Sequence, residues 1–97
     1  MNVSVIIPCY NEQSVIVDLL DALLKQTYPL GQMEVVIADG MSNDGTRKKI
    51  RKFSELHPDL SIHLVDNQKR TIPSALNTAI KAARGEYIVR LDAHSSP

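Results

Sequence analysis

Four short runs rich in β-branched residues, "VSVIIP", "MEVVIAD", "LSIHLVD" and "EYIVRLD", alternate along the chain with stretches whose apolar residues recur every three or four positions. Short apolar runs of this kind read as buried strands, and the spaced apolar residues between them as amphipathic helices. A helix after each strand returns the chain to the same end of the sheet, so the strands are predicted to run parallel with right-handed crossovers. The order β-α-β-α-β-α-β therefore predicts an α/β fold: a Rossmann-like parallel sheet with helices on both faces, formed by residues 1–97 as one unit.

The local signals sharpen each element. Ile16, Leu19, Leu20, Leu23 and Leu24 share one helical face, with Asn11 as the predicted N-cap and Pro29 and Gly31 beyond the far end. A second helix is predicted over residues 46–57, with Ile50, Phe53 and Leu56 inward and the run "RKKIRK" around them, read as a solvated face. Pro73 suits the first turn of a third helix lined by Leu76, Ala79, Ile80 and Ala83, and Gly85 is its predicted C′ residue. Tyr87 to Leu91 read as a buried strand.

Composition removes several classes of function. Ninety-seven residues suit one small domain, and Lys+Arg and Asp+Glu both number 11, which gives no electrostatic reason to expect nucleic acid as a partner. The lone Cys9 forms no internal disulfide and fits a reducing compartment, so the predicted location is cytoplasmic. No stretch approaches the roughly 20 apolar residues of a membrane span. The first strand is followed by "PCYNEQ", with neither a dinucleotide fingerprint nor a P-loop, so any nucleotide is held without a glycine-rich cradle.

In parallel sheets of this type ligands bind outside the carboxyl ends of the strands. The polar residues placed there are Asn11 and Glu12, Asp39, Asp66 and Asn67, and Asp92 and His94. Asp39, before Gly40, is either an acceptor for a nucleotide's base or ribose or the organiser of an Asx turn. Asp92 and His94 are two apart at a strand end, so extended geometry points both the same way. A carboxylate and an imidazole suit Mn²⁺ or Mg²⁺ when a diphosphate completes the shell; the plainer alternative is a surface Asp beside a loop His. Arg70, between a strand end and a helix start, is placed to reach a phosphate. Cys9 reads as a buried thiol without a catalytic partner.

Taken together, "VSVIIPCYNE", "EVVIADGMSNDGT" and "ALNTAIKAARGEYIVRLDAH" resemble the N-terminal, donor-binding half of family 2 glycosyltransferases with the GT-A fold. The family's D-x-D position reads Asp92-Ala93-His94 here, a variant similar to bacterial exopolysaccharide enzymes of the succinoglycan type. The resemblance implies transfer of a sugar from a nucleoside diphosphate sugar, UDP-linked by expectation, to a glycan or lipid-linked acceptor at the cytoplasmic face of the membrane. It also implies that Pro8, Tyr10 and Glu12 line the nucleoside pocket, that Asp39 bonds the base, and that Arg70 approaches base or phosphates. Asp92 would contact the ribose or a metal-bound water, with His94 as the direct ligand of Mn²⁺ or Mg²⁺. Imidazole in place of carboxylate is expected either to weaken hard-metal binding or to favour Mn²⁺ over Mg²⁺.

By the same resemblance, the catalytic base and acceptor site are expected beyond residue 97. The chain alone is expected to bind donor without transferring sugar, and to self-associate through an open edge of its fourth strand. Two other readings share the small doubly wound architecture. A receiver-like signalling module wants an acidic pair after its first strand, where this chain has Asn11 and Glu12. A nucleotidyltransferase usually carries a glycine- and basic-rich loop at that point.

Overall fold

Every strand pair in the computed structural model, which describes residues 2–92, is parallel. The elements are β1 (Val3–Cys9), α1 (Ile16–Lys25), a 3₁₀ turn (Leu30–Gln32), β2 (Met33–Asp39), α2 (Thr46–Leu56), β3 (Ser61–Asp66), α3 (Ile72–Ala82) and β4 (Tyr87–Arg90). The sheet order is β3-β2-β1-β4, so the chain moves outward from β1 through β3 and then crosses back to place β4 on the other side. β2 is buried along its whole length, which explains why "MEVVIAD" lacks the alternation of a half-exposed strand.

The two faces carry separate cores. On one, Val5, Ile7, Val35 and Ile37 meet Ile16 and Leu20 of α1 and Ile50 and Phe53 of α2. On the other, Ile6, Val36 and Ala38 meet Ala75 and Ala79 of α3, whose small side chains let that helix sit close to the sheet. Each fully buried Ile or Leu contributes about 1.5–3 kcal/mol, so the α1/α2 face, with the larger side chains, supplies most of the apolar stabilisation. Among the described residues no helix is long and apolar enough to cross a membrane.

Four local expectations are corrected. α1 starts at Ile16, preceded by Val15 with no side-chain cap, because Asn11 turns away with φ 50° to bond the neighbouring loop. Leu56 and Ile80 are exposed, at the margins of their helical faces. β4 is exposed throughout, because α3 packs over β1, β2 and β3 and leaves β4 at the sheet edge. Gly85 lies past the extended Ala83 and has no positive φ. A Cβ there would come within 2.7 Å of the Ser4 nitrogen, so close approach and not a left-handed cap requires glycine.

Pro8 sets where pairing with β4 stops. The carbonyls of Asn2 and Ile6 accept from the amides of Tyr87 and Leu91, so even-numbered residues of β1 bond towards β4. Pro8 is the next in that series and has no N–H to give. The ladder therefore ends at Leu91, and the chain leaves the sheet at Asp92.

Candidate functional site

Parallel strands bring the segments after β1, β2, β3 and β4 to one edge, and the sheet order reverses between β1 and β4. That reversal opens the crevice in which doubly wound sheets bind ligands. Tyr10 stands on its β1 side, 41% exposed, and Asp92 on its β4 side, also exposed.

The loops beside Tyr10 are cross-linked. The Asn11 N–H donates to Ser42 Oγ at 2.8 Å, and the side chain of Asn11 exchanges hydrogen bonds with Asn43 at 3.0 and 2.9 Å. The Glu12 N–H donates to Thr46 Oγ1, which in turn donates to Asp44 Oδ1 at 2.5 Å. Desolvation raises the Asp44 carboxyl, but the Thr46 hydroxyl and N–H outweigh it and hold it below the ordinary range. Asn11, Met41 and Arg70, all on this edge, have φ of 50°, 63° and 62°. Non-glycine residues in this region are strained, and such strain gathers at binding sites where surrounding bonds hold it in place.

Asp39 is the centre of this web and is fully buried. Oδ2 accepts from the Ser42 N–H and from Arg47 Nε, both at 2.8 Å, and Oδ1 accepts from Ser42 Oγ at 2.5 Å. Arg47 Nη2 also donates to Asp66, which pairs with Asp39 across the β2–β3 ladder. Like charges directly opposed on neighbouring strands repel. Arg47 bridges them, and its own pKa is raised, chiefly by the hydrogen bond to Asp66.

This is a correction to the sequence reading, which treated the whole run "RKKIRK" as solvated. Its first member is an internal clamp. The signal was present: a cation in the first turn of a helix opposes the helix dipole and calls for a specific partner.

Of the predicted residues, Pro8 is buried within β1 and backs the crevice. Tyr10 packs on Gly40, where an added Cβ would lie 3.3 Å from Tyr10 Cδ1. The Arg70 guanidinium carbon lies 5.5 Å from the Tyr10 ring centroid, a cation–π distance. Asp92 Oδ1 accepts from Arg90 Nε at 3.0 Å. His94 lies outside the described residues, and among those described no three His, Cys, Asp or Glu side chains converge on a metal site. Cys9 is buried behind the crevice, and burial, with the charges of Asp39, Glu12 and Asp44, pushes its thiol up to about 12. It is no nucleophile.

An open cleft of about 340 Å³ lies at the outer side of β3, lined by Asn67, Lys69, Ser74 and Lys81 among others, away from the β1/β4 reversal. The crevice at the reversal offers an aromatic face, a guanidinium beside it, a rigid polar floor and, across it, a carboxylate. A planar base with an anionic tail fits that arrangement.

Comparison with known proteins gives a consistent picture. The model of the family described as "Glycosyl transferase family 2" matches residues 4–97. The succinoglycan biosynthesis protein ExoA of Rhizobium meliloti is 39% identical over 94 residues, covering 95% of this chain and 28% of that protein. The mannosyltransferase PcManGT from Pyrobaculum calidifontis, solved in complex with GDP-Man and Mn²⁺, superposes with a TM-score of 0.90 at 44% identity, over 95% of this chain and 27% of that one. S. aureus TarS 1-349 in complex with UDP gives a TM-score of 0.81 at 31% identity, over 96% of this chain and 27% of that one. The chain spans between 14% and 34% of the length of curated relatives it matches.

Proposed function

Since the chain belongs to glycosyl transferase family 2, we propose that it is the donor-binding part of an enzyme that moves a sugar from a nucleoside diphosphate sugar to a glycan or lipid-linked acceptor. The observation that carries this reading is the crevice itself: Tyr10 with Arg70 at its face on one side of the strand reversal, and Asp92 on the other. The family membership sets aside the receiver-like and nucleotidyltransferase readings.

In this proposal the base stacks at Tyr10, where aromatic contact is worth about 1–3 kcal/mol. Asp39 acts first by holding the Ser42 loop in shape, and because its carboxylate is fully buried it accepts from a base N–H only once that loop shifts. Glu12 and Pro8 bound the pocket. Arg70 exchanges the Tyr10 ring for the diphosphate, a partner of full charge.

Asp92 fits a hard divalent ion in its donor chemistry, a half-exposed carboxylate with only Oδ1 committed, and that commitment is to a neighbouring arginine. Asp92 and His94 together would hold Mn²⁺ or Mg²⁺. Held by those residues, a metal would supply Lewis-acid charge against the diphosphate leaving group. The acceptor site and catalytic base are assigned to other parts of a full-length enzyme, since the chain covers between 14% and 34% of its relatives' length. UDP is the nucleotide we favour, and a lone unpaired cysteine supports a reducing compartment, the cytoplasm or the cytoplasmic face of a membrane.

Titration of UDP and GDP with and without Mn²⁺, on wild type, Tyr10→Ala and His94→Ala, tests the reading. Binding that needs Tyr10 and is strengthened by Mn²⁺ only when His94 is present supports it. Failure of wild type to bind either nucleotide overturns it.

A further inference from the structure

A buried carboxylate at the opposite end of the sheet has no part in this site. Glu34, the second residue of β2, is 1% exposed. Its Oε2 accepts from Ser4 Oγ at 2.5 Å and from the Arg84 N–H at 2.6 Å, and His63 Nε2 lies 3.5 Å from Oε1. Ser4, itself fully buried, accepts in turn from the Gly85 N–H at 2.8 Å. Burial raises the Glu34 carboxyl, but the bonds from Ser4 and Arg84, with the nearby His63 and Arg84 charges, outweigh it, so the net shift is downward and the group is ionised at neutral pH.

Both amides held by this network belong to the turn between α3 and β4. A Cβ on Gly85 would meet the Ser4 nitrogen and Oγ at 2.7 Å and the Val3 carbonyl carbon at 2.8 Å, so the turn is drawn as close to β1 as backbone allows. β4 has little else to hold it. It pairs with β1 over four residues, and its side chains are exposed. A slip of one residue would move the strand by about 3.3 Å and turn every side chain to the other face.

We propose that Glu34 is a positioning residue: through Ser4 and the Arg84–Gly85 turn it fixes the register of β4 on β1, and so the place where Asp92 reaches the ligand edge. The part of this that concerns Asp92 rests on the donor-binding reading; the part that concerns β4 does not. Gln at this position retains an oxygen for the two donors that Oε2 serves, whereas Ala leaves both without a partner. Gly85→Ala attacks the same turn from its other side.

Amide hydrogen exchange on wild type, E34Q, E34A and G85A separates the outcomes. Loss of hydrogen bonds to a buried charge predicts exchange across Tyr87–Arg90 faster by about tenfold or more in E34A and G85A, over and above any change in Val35–Ala38, with E34Q within about twofold of wild type. In parallel, E34A should lose the gain in UDP or GDP affinity conferred by Mn²⁺ while keeping metal-free affinity, and E34Q should restore it. β4 exchange in E34A that matches wild type, or that rises only as much as β2 exchange does, overturns the proposal. If wild type binds neither nucleotide the donor reading falls, and the exchange comparison still decides the role of Glu34 by the same criterion.

Discussion

Arg47→Met removes the clamp between Asp39 and Asp66 while keeping an aliphatic stem of similar length. Breaking a buried ion pair by deleting one partner costs about 3–5 kcal/mol. Here the Arg47 side chain is 19% exposed and that of Asp66 53% exposed, so solvent screens part of the interaction. Asp39 also keeps both bonds from Ser42. The expected loss is therefore lower, about 2–3 kcal/mol. In a chain of this size that lowers Tm by about 10–20 °C. Urea unfolding followed by circular dichroism measures it, and a cycle with Asp39→Asn isolates the pair. The two substitutions should couple by about 1–2 kcal/mol, because either one alone already abolishes the Arg47–Asp39 ion pair. A loss below about 0.5 kcal/mol, the usual range of surface changes, or additive single mutants, would refute the claim that this arginine supports a buried carboxylate.

Other outcomes are equally direct. Tyr10→Ala should weaken nucleotide binding about 5- to 150-fold by calorimetry, the range of base–aromatic stacking, and Tyr10→Phe should not; equal affinity in the Ala variant removes the stacking role. Moving the Cys9 thiol from 9.0 to about 12 cuts its thiolate fraction at pH 8 about a thousandfold, so iodoacetamide should alkylate it only after unfolding; rapid labelling of the native chain counts against this environment. Glu34 has a folded pKa below its unfolded value, so its stabilisation is fully present above the ordinary 4.5 and is lost as pH falls towards the lowered value. Stability measured from pH 7 to pH 3 should decline less steeply in Glu34→Gln than in wild type, and parallel curves would contradict it.

Periodicity made the strands, the helices and their parallel pairing legible, because β-branched runs and three-to-four spacing report directly on burial. It also placed Asn11, Glu12, Asp39, Asp66 and Asp92 on one edge, since in a parallel sheet the residues at the strand ends can lie nowhere else, whereas Tyr10 entered only through the family resemblance. What the pattern did not carry is which side chains bond one another across the edge. Arg47's place in the first helical turn calls for a partner, but only the opposed carboxylates of Asp39 and Asp66 show which one. Glu34 and Gly85 escaped for the same reason: their partner, Ser4, is distant in sequence. The exposure of β4 was invisible because an apolar run does not say which strands a helix will cover. His94, the residue on which the metal proposal turns, lies outside the described residues.

The network at Ser4 also has a kinetic meaning. Its contact with Glu34 closes a separation of 30 residues, and its contact with Gly85 one of 81. Loop-closure entropy grows with the logarithm of length, so the second costs about 0.9 kcal/mol more than the first. β1 and β2 can thus zip together and bury Glu34 before β4 arrives, and pulse-labelled exchange should find the β4 amides protected last. The carboxylate is then already in place as a waiting receptor, and capture of one glycine turn completes the sheet.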